Sequence, residues 1–66
     1  MSLVELNEDE QEGIADIVDG TMGLMMQDIG WDDGQAQYWI GILDKLGERG
    51  KIYAEAWKDK RKEALQ

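Results

Sequence analysis

The chain has 66 residues and a formal net charge of −8, with no cysteine, histidine, proline or phenylalanine. That length holds one domain, spanning 1–66, and a core so small that it is marginal without a staple or a partner. Disulfides, thiolate metal sites and histidine ligation are excluded, and with them the commonest nucleophiles and acid–base groups. The start, Met-Ser-Leu-Val-Glu, lacks the basic region and apolar core of a signal peptide. No apolar run approaches the ~20 residues that span a bilayer, so a cytoplasmic location is expected and no membrane partner.

Residues 1–6 read as a lead-in. Asn7 offers an N-cap, and Glu10 completes a capping box. Glu8, Asp9, Glu10 and Glu12 then crowd the positive end of a helix dipole. Ile14, Ile17, Val18, Thr21, Leu24 and Met25 follow at three- and four-residue steps, widened by Met22, Met26 and Ile29. The spacing predicts a helix over 8–28 with an apolar face broader than a two-stranded seam. Gly13, Gly20 and Gly23 lie inside it, each costing ~1 kcal/mol relative to alanine. They mark either a weak stretch or a close approach by another helix.

Asp28 to Gly34 reads as a turn, centred on 29–32, with Gly30 suited to a left-handed position after a helix end. Asp32 can cap the next helix, with Gln35 as the other half of a second capping box. Trp39, Ile42, Leu43 and Leu46 then form an i, i+3, i+4, i+7 set. A seam runs on through Gly50, Tyr53 and Trp57 towards Ala64. Its continuity through Gly47 and Gly50 predicts one helix over 33–64. The rival, a break at 47–50 with a third helix from Lys51, lacks a Ser, Thr, Asp or Asn cap. No period-two alternation suggests a strand.

The expected architecture is therefore all-α: an antiparallel helical hairpin, two copies of which pair into a four-helix bundle. The interface expected for that homo-oligomer is Ile14, Ile17, Val18, Met25, Trp39, Leu43, Leu46 and Tyr53. Three short helices in a monomer are the alternative.

Charge is split along the chain. Residues 1–34 carry ten acids and no base, and residues 35–66 carry five acids and all seven bases. In a hairpin the acidic start of the first helix would lie beside the basic cluster Lys58, Lys60, Arg61 and Lys62, favouring antiparallel pairing. Asp16, Asp19, Asp28, Asp32 and Asp33 have no evident basic counterpart. They are expected, with Trp31, to meet a partner.

Motifs for chemistry fail on spacing. An EF-hand loop started at Asp28 has Gly30 at position 3, Asp33 at position 6 and Trp39 at position 12, all wrong for calcium. The glycines lack the Lys-Ser/Thr of a phosphate loop. The Lys58–Lys62 cluster is interleaved with Asp59 and sits on an acidic chain, which disfavours nucleic acid. No catalytic residue, metal or cofactor is expected. The leading expectation is a non-enzymatic protein-binding module: a regulator, adaptor or inhibitor. By class analogy alone, it is of the kind that phage and mobile elements use. The rivals are a nucleic-acid mimic that blocks a DNA- or RNA-binding protein and a structural homo-oligomer. An RNA-binding hairpin is weaker still.

Overall fold

Asn7 starts the first helix as its sequence predicts. Its side chain accepts from the Glu10 backbone N–H at 2.8 Å, and the Glu10 carboxylate accepts from the Asn7 N–H at 3.0 Å. This computed structural model describes residues 5–66, so residues 1–4 of the predicted lead-in lie outside it. Helix α1 spans Glu8–Ile29, one residue longer than predicted. Gly13, Gly20 and Gly23 do not break it, and nothing lies within 4 Å of a Cβ placed on any of them. They are not sites of close approach inside the fold. Gly30 ends the helix at φ 82, a region open to glycine at little cost, and its N–H bonds Met26 O at 3.0 Å.

Helix α2 spans Asp33–Leu43, and Asp32 caps it by accepting from the Gln35 N–H at 3.1 Å. Only half of the second capping box forms. The Gln35 side chain turns forward instead and accepts from Trp39 Nε1 at 3.1 Å.

The predicted single helix over 33–64 is corrected by the structure. After α2 the backbone tightens, with Lys45 N–H bonding Ile42 O and Leu46 N–H bonding Leu43 O, each at 3.0 Å. Helix α3 then runs over Gly47–Ala64. No side chain caps its start at Leu46, so the missing cap residue did not mean a missing break. The signal is a stop rather than a start. Gly47 sits at φ 74, which side chains with a Cβ rarely adopt. Gly50 lets α3 fold back closely, since a Cβ there would collide with the Leu43 carbonyl oxygen. The apolar seam crosses the break because Leu43 and Leu46 both face the core on either side of it.

Three helices therefore pack in place of a two-helix hairpin. Gln11 lies at Gly47, Asp16 meets Arg49 and Tyr53, and Asp19 meets Trp57. These pairs run in step, so α1 and α3 are parallel. Asp33 meets Arg61, and Asp44 meets Lys58, so α2 runs antiparallel to α3. The expected charge match is corrected too: the basic end of α3 lies beside the start of α2, not beside the acidic start of α1. Both α1 and α2 pack most extensively on α3 and less on each other.

The core takes Ala15, Val18 and Met22 from α1, Ala36, Ile40 and Leu43 from α2, Leu46 from the turn, and Ala54 and Trp57 from α3. Each helix contributes one fully buried alanine, which lets the backbones approach. No buried polar side-chain atom among the described residues lacks a hydrogen bond.

Candidate protein-binding face

The acids expected to meet a partner are mostly engaged within the chain. Asp33, at the first turn of α2, accepts from Arg61 at 2.7 and 3.0 Å through both carboxylate oxygens. It also accepts from Gln37 at 2.8 Å and Trp31 Nε1 at 3.2 Å. Those bonds, Arg61 foremost, hold its carboxyl well below the ordinary aspartate range. Asp16 is lowered as well, first by the Tyr53 hydroxyl and then by the Arg49 guanidinium 3.0 Å away. Asp16 and Asp33 thus have arginine counterparts 33 and 28 residues along the chain, a correction to the sequence reading. Helix periodicity cannot reveal pairs at that separation.

The other predicted partner residues fall in three places. Asp19 accepts from Trp57 Nε1 at 2.8 Å. Asp32 serves as the α2 cap. Asp28 is exposed, with no hydrogen bond or ion pair among the described residues. Trp31 is half-buried, its ring 6.2 Å from that of Trp57. It closes the end of the bundle beside the Asp33–Arg61 pair. Lys60 covers Trp57, its ammonium 4.3 Å from the ring centroid.

The expected oligomer interface is likewise divided. Val18, Leu43 and Leu46 are buried inside one copy, Trp39 and Tyr53 are half-buried against that core, and Met25 is half-buried without joining it. Ile14 and Ile17 are left on the surface. Leu24, which the sequence assigns to the same stripe as the core residues, is also outside. Ile17 and Leu24 are 69% and 70% exposed. Seven residues apart, they stand in one line along α1, away from the Ala15–Val18–Met22 stripe that meets the core. Thr21 and Ile14 lie beside them, and Leu24 and Met25 edge a shallow open depression with Thr21, Gln27 and Asp28.

Two apolar stripes therefore share α1. One is spent on the fold and the other is open. The breadth of the predicted face was their sum, which is why the sequence could not separate them.

Among the described residues, no group of three or more ligating side chains is placed to hold a metal. No described helix is long and apolar enough to cross a membrane. Comparison with protein-family models, curated proteins and solved structures gives no match to this chain. The functional reading rests on its own residues.

Proposed function

We propose that the chain is a non-enzymatic protein-binding module, a small regulator, adaptor or inhibitor, that docks through the outer face of α1. The observation that carries this reading is the exposure of Ile17 and Leu24, aligned on a helix whose core stripe is already complete without them. Two large aliphatic side chains left in water add no buried apolar area to the fold. Contiguous exposed apolar residues with a polar rim mark interaction surfaces. Trp31, Asp32 and Asp33 have a lesser claim, because each holds the end of the bundle together.

Nucleic-acid mimicry has less support. Of the acids it would present, Asp16, Asp19 and Asp32 already accept intramolecular hydrogen bonds, and only Asp28 has no such bond among the described residues.

The test compares capture of a partner from native host lysate by the unaltered chain and by Ile17→Asp and Leu24→Asp. Both variants are expected to keep their circular dichroism and melting temperature and to lose the partner. Capture unchanged by either substitution would reject the outer face of α1 as the docking surface.

A further inference from the structure

The open stripe has a regular spacing and a particular pattern of charge. Glu10, Ile14, Ile17, Thr21, Leu24 and Asp28 follow one another at steps of four and three residues, the period of a coiled-coil seam. All six are on the exposed side of α1. Between its ends the seam carries no charge. At each end it carries an acid. Glu10 and Asp28 are five full turns apart and so lie in line, separated by roughly 27 Å at 1.5 Å per residue.

Resting on the docking role proposed above, we infer that the partner presents an amphipathic helix whose apolar seam is bracketed at both ends by lysine or arginine. Length, register and charge all bear on this choice. An uncharged seam of four positions, three of them aliphatic, matches two turns or more of a partner helix laid along α1. Its terminal layers would set Glu10 and Asp28 against whatever flanks the partner's apolar residues.

A second copy of this chain fits badly there. In antiparallel pairing Glu10 would face Asp28 of the copy at both ends. In parallel pairing Glu10 would face Glu10, and Asp28 would face Asp28. Acid meets acid in either orientation, which penalises self-pairing. A basic helix is favoured in both. The field of α1 adds to this at longer range, since its own acids are seven (Glu8, Asp9, Glu10, Glu12, Asp16, Asp19 and Asp28) and it holds no base.

The probes are three synthetic helical peptides with leucines at matching three- and four-residue spacing. They carry lysine, glutamine or glutamate at the two terminal seam positions. Each is titrated into the full isotope-labelled chain and followed by backbone amide shifts. The lysine-ended peptide is expected to saturate shifts along 10–28 and to bind about tenfold or more tighter than the glutamate-ended one, two exposed charge pairs being reversed in sign. Glu10→Gln combined with Asp28→Asn should erase that preference. Glutamine can keep the capping-box bond, so the variant should still fold.

If all three peptides bind α1 with equal affinity, the basic character of the partner is overturned while docking through α1 stands. If none shifts the α1 amides, a helix in this seam is overturned and the docking face itself is in question. Concentration-dependent dimerisation that protects Ile17 and Leu24 would make a second copy the occupant and reject the inference.

Discussion

At the scale of single residues, the fold assigns opposite roles to side chains of the same kind. Leu43 is fully buried at the junction of α2 with the turn, whereas Ile17 stands in solvent. Leu43→Ala is expected to cost about 2–5 kcal/mol, enough to unfold much of a domain this small, and Ile17→Ala to change stability by less than about 0.5 kcal/mol. Chemical denaturation followed by tryptophan fluorescence measures both. Aspartates divide in the same way. Asp33 has its folded-state pKa depressed by Arg61, so its pairing stabilises the fold at every pH above the unfolded value of about 3.9. That contribution declines as pH falls through the interval between the unfolded and folded values. The melting temperature of Asp33→Asn should thus lie below that of the unaltered chain by a constant margin from pH 5 to 8. The margin should narrow only below about pH 4. A margin that narrowed above pH 5 would show that the partners of Asp33 in the fold do not hold its carboxyl low.

At the scale of elements, glycine means something different in α1 and in α3, and one substitution series exposes this. Gly20 lies in the exposed middle of α1 with open space around it, so Gly20→Ala should stabilise by about 0.5–1 kcal/mol through a better helix propensity. Gly47 has φ 74, and a Cβ there would also press on the Gln11 side chain. Gly47→Ala should therefore destabilise by about 1–2 kcal/mol. Gly50 should tolerate alanine least, because the atom in the way is the Leu43 carbonyl, which belongs to the backbone and cannot swing aside. Thermal melts should rank the variants with Gly20→Ala above the unaltered chain, then Gly47→Ala, then Gly50→Ala. These glycines also explain what could be read from the sequence. The Asn7 and Asp32 caps and the Gly30 stop are local signals, and they placed the start of α1, its end within a residue, and the start of α2. The turn between α2 and α3 depends on a backbone dihedral at Gly47 and a tertiary approach at Gly50. Neither leaves a polar cap or an interruption in the apolar period. The open seam of α1 was visible as part of one broad stripe. Which half of it the core would claim depended on where α3 packed, and that followed from a turn near the 47–50 break that the sequence reading set second.

At the scale of the whole molecule, the balance is between many weak repulsions and a few close pairs. The net charge is −8 on a body measuring 41 × 21 × 19 Å. At 10 mM salt the screening length is about 30 Å, so most like charges on the fold feel one another. At 0.3 M it is shorter than about 8 Å, and repulsion between acids on different faces is largely removed. The ion pairs between helices act at much closer range: Arg61 to Asp33 at 2.7 Å, Arg49 to Asp16 at 3.0 Å and to Glu12 at 3.9 Å, and Lys58 to Asp44 at 3.3 Å. Salt weakens these less than it weakens the diffuse repulsion, and apolar burial in the core is not screened at all. Added sodium chloride should therefore stabilise the chain, raising the melting temperature between 10 mM and 0.3 M by roughly 4 °C, the shift that a gain of somewhat under 1 kcal/mol gives a domain of this size. A melting temperature that fell with salt would show that these ion pairs outweigh the self-repulsion. The same titration bears on the α1 seam. Salt would also relieve the acid-against-acid penalty inferred for self-pairing along α1, so a chain found monomeric at 0.3 M would owe that state to geometry as well as to charge.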